Sequence, residues 1–483
     1  MKKLVLYIFF ISIFFLVFHS LCWSSSHDFD ENIPDNRKLL ICEKMIRVLQ
    51  KGNSENPCKN LSHYCRRPET VHINCEKALQ GDKVNLIFTK EGIILLQSYI
   101  NSIIGINRVP LIPNPSLNMS CSEIHKRIIP RHHMPSLNGI AFARTVHRDY
   151  EFIEKTVQMS WHPRNRFCFV MDEKAKEEFK KKMRKLVGCF EEQMILMEDL
   201  PFDSAGHNQN LAHYKCMEAL LKHPKWSYLM LLQNHDIITK TVYELDQIFG
   251  ILNGTNDVLA GKELEERRRD DQKWDPRSSN LFKNESNIPA KVLNEPLKIA
   301  SGGIEASISR GAVEWLVETV NVTKFLEQQN EIDYGADEQF ISTFQLNSQL
   351  GMPGHFTTEC IDQNVQVAQI TRMAQFAYSH PEKCASRTVR HNACLFGIED
   401  LKAMTELPYL VWNKVYPSFD WSVIECTAEL IYNRTFLGQT EPGLDQGYYE
   451  NLITVNYHKN HLKPGFKLNC SSGSQPRSYE DYL

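Results

Sequence analysis

The chain of 483 residues carries 55 Lys and Arg against 58 Asp and Glu, a formal net charge of −3, and 42% of it is apolar. That length implies about two to three domains, or one large α/β unit with additions, and the apolar share suffices for a sizeable core. The balanced charge gives no sign of a nucleic-acid binder, and the charged runs at 174–186 and 262–271 mix signs as solvated helix faces do.

In chain order, Lys2 and Lys3 precede the apolar run 4–18, which continues to Trp23 with no charge until Asp28. Such a segment is a membrane anchor or a cleaved signal peptide. The lysines and the lack of a small-x-small cleavage site favour an uncleaved anchor at 4–23 behind a cytosolic tail, 1–3. Everything after it is then exported. The N-x-S/T sequons at Asn60, Asn118, Asn253, Asn284, Asn321, Asn433 and Asn469 agree with a glycosylated lumenal protein. The 14 cysteines are spread along the chain rather than set in C-x-x-C zinc spacing, which in an oxidising compartment reads as structural disulfides.

Residues 24–73 are polar and irregular, a stem. From 138 onward the pattern becomes α/β. Residues 139–143 read as a strand and 150–160 as a helix, followed by a strand over 166–171 ending at Asp172. A Lys-rich helix (174–187), a strand (193–197), a helix (208–221) and a strongly apolar strand (226–232) follow. This alternation predicts a doubly wound, Rossmann-like sheet with ligands beyond the carboxyl ends of its strands. Asp172 and Asp236 stand at such ends; read alone, each is also an ordinary loop or capping aspartate. No G-x-G-x-x-G or P-loop occurs, which disfavours a dinucleotide cofactor and a nucleoside triphosphatase.

The segment 384–414 is the most informative. Arg390 lies between Cys384 and Cys394, and Lys414 follows the next helical segment. A disulfide closing that loop would pose the guanidinium for bidentate phosphate capture, and a second cation would share a diphosphate with it. In isolation both are equally surface cations.

From about Asn74 to Leu430 the chain resembles the core-2/I-branching β-1,6-N-acetylglucosaminyltransferase family, glycosyltransferase family 14. The landmarks are the opening Asn74-Cys75-Glu76-Lys77-Ala78-Leu79-Gln80-Gly81-Asp82, Cys121, Arg166–Asp172, Val187–Phe190 and Cys216-Met217. Ser301-Gly302, Ser309-Arg310, Asp337-Glu338, Arg390, Cys394 and Lys414 follow in order. The resemblance implies a GT-A-like Rossmann-type nucleotide-binding fold in a type II Golgi membrane protein, with the catalytic domain over 74–440 and a C-terminal tail over 441–483. It implies disulfides Cys75–Cys426, Cys121–Cys189, Cys168–Cys216 and Cys384–Cys394, and leaves Cys42, Cys58, Cys65, Cys360 and Cys470 unassigned.

The implied activity is inverting, metal-independent transfer of a sugar from a UDP-sugar, foremost UDP-GlcNAc, to a hydroxyl of an O-glycan on a glycoprotein. No cofactor and no metal are expected. Such chemistry needs a base, a nucleotide grip and charge at the leaving diphosphate. The one Asp-x-Asp, Asp28-Phe29-Asp30, lies in the stem, and Arg390 and Lys414 occupy the family's diphosphate-binding positions. Glu338 matches the catalytic base; read alone it is an acid favouring the dipole of a helix over 338–347. Asp172 and Thr145 fall where the family holds the nucleotide. Phe376 and Tyr378 stand at its Trp-x-Tyr, rings for stacking an acceptor sugar or for core packing. The family's acceptor-binding acid and basic residues have no clear counterpart in 253–258, though an arginine run stands at Arg267–Arg269. Within the family a xylosyl or glucosyl donor is the alternative. A non-catalytic lumenal glycan-binding protein is the rival of another class, and retention of Glu338, Arg390 and Lys414 speaks against it.

Overall fold

A computed structural model describes residues 64–81, 86–89, 92–95, 99–104, 107–267, 269–441, 443–473 and 478–483. The expected anchor, most of the stem, Asp28, Asp30, Asn60, Cys42 and Cys58 lie outside the described residues. Among those described, no helix is long and apolar enough to cross a membrane.

The strands are β1 (Leu86–Thr89), β2 (Gly92–Leu95), β3 (Ile140–Val146), β4 (Arg166–Met171), β5 (Met194–Leu196), β6 (Tyr228–Leu232), β7 (Ile237–Ile238) and β8 (Ala260–Lys262). They continue with β9 (Ala300–Gly302), β10 (Ala306–Ser309), β11 (Arg372–Met373), β12 (Val389–Arg390), β13 (Ala393–Cys394) and β14 (Val411–Trp412). The central sheet has the order β10-β6-β3-β4-β5; β3, β4, β5 and β6 are parallel and β10 is antiparallel to β6. Parallel strands joined through crossover helices bury both faces, and the period of two sorts the side chains. Phe142, Phe167, Phe169, Tyr228 and Met230 pack on one face with the helices Tyr150–Met159 and Glu177–Gly188. Ala141, Ala143, Val170, Leu229 and Leu231 pack on the other with Gln209–Leu221 and Arg310–Glu318. The result is a three-layer α/β unit in which the apolar runs read from sequence become the central strands.

A small sheet of order β11-β14-β7 sits beyond the end of β6. Because β14 pairs with both β7 and β11, residues 371–373 and 411–416 are brought to the loop 233–236 at the carboxyl end of β6. This second sheet positions the site.

Cys75–Cys426, Cys121–Cys189, Cys168–Cys216 and Cys384–Cys394 are bonded, and Cys360–Cys470 adds a bridge on which the family resemblance is silent. Residues beyond 441 are folded onto the domain through the helices Gln446–Glu450 and Ile453–Asn460 and the Cys470 bridge. Tyr479 is buried against the rings of Phe396 and Trp412; its hydroxyl donates to Asp400 and accepts from the Ala385 amide at 3.2 Å. It thereby braces the loop that carries Arg390. The sequon residues Asn118, Asn253, Asn284 and Asn469 are exposed, and Asn321 and Asn433 are half-buried.

Candidate active site

Glu338 sits on a tight loop, not in a helix. The expected helix over 338–347 begins instead at Phe340 and ends at Leu346. The reason is local: Gly335, at φ +75°, turns the chain, its amide and that of Ala336 donate to Ala205 O at 2.7 and 3.1 Å, and Glu338 O accepts from Gly302 N at 2.6 Å. The loop is thus pinned from two sides before helical bonding starts. A side chain at Gly335 would run into the Arg267 guanidinium, so glycine is required both for the turn and for that approach. The Glu338 carboxylate accepts from Arg267 Nη1 at 2.6 Å and keeps 35% of its side-chain surface exposed. It is held and still open to a ligand. Asp337 beside it is 8% exposed, and burial together with the Glu338 charge pushes it up to about 6.

Across the site, β12 and β13 form a two-residue hairpin. His391 and Asn392 both have positive φ, 46° and 64°, the requirement of a type I′ turn. The Cys384–Cys394 bond ties this hairpin to the preceding loop. The Arg390 guanidinium lies over the Tyr416 ring at 5.0 Å, and Arg148, from the loop after β3, lies over the same ring at 5.2 Å. Tyr416 in turn stacks on His235 at 4.1 Å, and His235 Nε2 meets Asp149 at 2.7 Å. Burial lowers His235 to about 4, so at neutral pH it packs as an uncharged ring.

Lys414 follows β14, with its carbonyl accepting from Phe396 N at 3.0 Å. Its side chain is half-buried, and its ammonium has no ion pair or hydrogen bond among the described residues. Burial lowers it to about 8, and the nearby charges of Arg372 and Arg390 press in the same direction, against the pull of Glu305 and Asp236. A desolvated, unpaired ammonium beside two guanidinium groups is a site that an anion completes.

Phe376 bridges Ala393 in the antiparallel sense, and the Ala377 amide donates to Asn392 O at 2.8 Å. The Phe376 and Tyr378 rings, 47% and 64% exposed, therefore run alongside the Arg390 hairpin. With that exposure the rings are not part of the core. Thr145, one residue before the end of β3, is buried, its hydroxyl donating to Gln209 at 3.1 Å. Asp172, half-buried at the end of β4, accepts from Lys174 N at 3.0 Å. Just after β3, the His147 and Arg148 amides donate to Asn234 Oδ1 at 2.7 and 3.2 Å.

Sequence reasoning did not single out Glu305, Arg372 or Asn413. Arg372 donates to Glu305 at 2.8 Å through Nη1 and to Asn413 Oδ1 at 2.9 Å through Nη2; Asn413 Nδ2 donates to Asp236 at 2.6 Å. Asp236 is thus a buried link in a chain, not a surface cap. The available signal was a single Arg and a single Glu set in otherwise apolar or small stretches, 370–374 and 299–308. Arg267 was noted only as part of a run, and its partner Glu338 is 71 positions away. No group of three or more His, Cys, Asp or Glu able to hold a metal ion occurs among the described residues.

The profile of the family described as Core-2/I-Branching enzyme matches residues 140–405. The chain belongs to that family. It is a glycosyltransferase, a class that joins a nucleotide-sugar donor to a glycan acceptor. Its relatives include a cattle beta-1,3-galactosyl-O-glycosyl-glycoprotein beta-1,6-N-acetylglucosaminyltransferase, 23% identical over 80% of this chain and 90% of that protein. The mouse enzyme 3 of the same name is 25% identical over 62% of this chain and 69% of its own length. A bovine herpesvirus 4 enzyme of that name is 23% identical over 62% and 69% respectively. The matched span holds β3 through β13, and with them Thr145, Asp172, Arg267, Glu338, Phe376, Tyr378 and Arg390; Lys414 lies just beyond it.

Proposed function

We propose that the enzyme transfers GlcNAc, with inversion and without a metal, from UDP-GlcNAc to a hydroxyl of an O-glycan, forming a β-1,6 branch. The acceptor oxygen attacks the anomeric carbon while Glu338 takes its proton; the bond from that carbon to the β-phosphate oxygen breaks, and the electron pair leaves with UDP. Arg390 and Lys414 balance the charge that grows on the diphosphate. Asp172 and Thr145, near the end of β3, border the nucleotide, and Phe376 and Tyr378 offer faces for a sugar ring. We place the enzyme in the Golgi membrane as a single-pass type II protein with its catalytic domain lumenal; the apolar run at 4–23 and the five disulfide bonds among the described residues support this.

The observation that carries the reading is the half-buried ammonium of Lys414, unpaired among the described residues, next to the posed guanidinium of Arg390. Two fixed cations supply the charge a divalent ion supplies elsewhere, with no need to bind or release one. The test is UDP binding by calorimetry with excess chelator, then transfer from UDP-GlcNAc, UDP-xylose and UDP-glucose to a β-1,3-galactosyl O-glycan. Binding and GlcNAc transfer in chelator are the expected result. A strict requirement for an added divalent ion overturns the metal-independent reading, and transfer from UDP-xylose or UDP-glucose alone reassigns the donor.

A further inference from the structure

A buried polar chain lies behind the two cations. Glu305 is fully buried, and among the described residues only Oε2 of its two carboxylate oxygens is bonded, to Arg372; Oε1 and Arg372 Nε are buried with no hydrogen-bond partner among those residues. The other arm of the Arg372 fork holds Asn413, whose amide nitrogen donates to Asp236, itself fully buried and accepting from Gln233 N at 2.6 Å. Asn413 N also donates to Met373 O at 3.0 Å. The residue before Lys414 is thereby gripped by its backbone and by both ends of its side-chain amide. A carboxylate–guanidinium pair with its acid fully buried and its guanidinium mostly so contributes little as plain stabilisation, because desolvating two charges offsets most of their attraction. Such a pair makes sense where it fixes geometry.

We propose that Arg372, neutralised by Glu305 and forked onto Asn413, is a positioning residue that sets where the Lys414 ammonium stands for the donor diphosphate. Arg372 then acts through Lys414 and makes no phosphate contact of its own. The inference rests on the proposed role of Lys414. Only a planar fork reaches Glu305 and Asn413 together; a lysine at 372 keeps the charge and loses one arm.

The experiment is a double-mutant cycle on the full chain, reading the Kd for UDP by calorimetry and Tm by calorimetric scan. Lys414→Ala alone weakens UDP; Arg372→Lys alone weakens it ~tenfold; and Arg372→Lys adds nothing once Lys414 is alanine, because non-additivity marks residues that act as one unit. Glu305→Gln, which keeps the shape and removes the counter-charge, is expected to follow Arg372→Lys and serves in its place should that variant fail to fold. If the losses of Arg372→Lys and Lys414→Ala add in full, Arg372 acts independently and the proposal falls. It falls equally if Arg372→Lys and Glu305→Gln change Tm but not UDP affinity. Should Lys414→Ala itself leave UDP affinity intact, the diphosphate reading fails first and the inference with it, an outcome distinct from the other two.

Discussion

Lys414 offers the sharpest prediction because its two expected effects have opposite signs. Burial and the neighbouring arginines lower it from the usual lysine value of 10.5 to about 8, which corresponds to ~3 kcal/mol spent in keeping it charged in the folded protein. Lys414→Met retains the apolar stem and removes that cost, so the unliganded variant is expected to be more stable than the natural enzyme at pH 7. UDP affinity moves the other way: loss of one charge-assisted contact of ~3 kcal/mol is about a hundredfold in Kd. The pH dependence follows from the same shift. The folded value lies below the unfolded one, so the unfolded chain binds more protons between about 8 and 10.5, and stability contributed by this residue rises with pH through that window. UDP affinity of the natural enzyme falls above about 8 by up to ~tenfold per pH unit, as one linked proton requires, until it meets that of the variant. Calorimetric titration of UDP from pH 7 to 10, with thermal scans in parallel, measures both. A Lys414→Met protein that binds UDP normally and unfolds more easily would refute the reasoning, since the lysine would then be a structural cation.

Glu338→Gln is expected to lower kcat by ~10²- to 10⁴-fold, the range of a lost general base, while UDP affinity is retained; an equal fall in both would point to a collapsed loop. Arg267→Ala removes the partner 2.6 Å from Glu338. Because that pair is partly solvent-exposed, stability should change by less than ~1 kcal/mol, while kcat/KM for acceptor falls and KM for donor stays put in steady-state assays. Replacing Cys384 and Cys394 together by Ser opens a short loop and costs ~2–3 kcal/mol of stability; UDP affinity should fall with it, as Arg390 loses its pose. Unchanged UDP affinity in that variant would show the hairpin turn and Tyr479 to suffice.

The alternating apolar runs from β3 to β6 were written plainly in the chain. A strand or helix is chosen by neighbours a few positions apart, and the period of side chains carries that choice. Boundaries were less legible: the helix after Glu338 starts two residues late because Gly302, far away in sequence, takes the Glu338 carbonyl. The order of landmarks pointed to the base, the cation pair and the pairs of cysteines through family resemblance, not through local physics. Only the folded chain decided how polar groups meet across long separations, 71 residues for Arg267 with Glu338, 67 for Arg372 with Glu305 and 177 for Asn413 with Asp236. No local pattern encodes those contacts, because each joins loops or strand ends far apart in the chain, and the residues carry no periodic mark of it. Sequence alone therefore determined a cysteine-bearing α/β chain with an Arg and a Lys suited to a diphosphate. The tertiary structure decided that Lys414 is desolvated and has no ion pair among the described residues, that Phe376 and Tyr378 face outward, and that the half-buried Arg372 guanidinium holds the side chain of Asn413, the residue before the lysine. Burial is a property of the closed core, and only burial turns a common surface cation into one that an anion must complete.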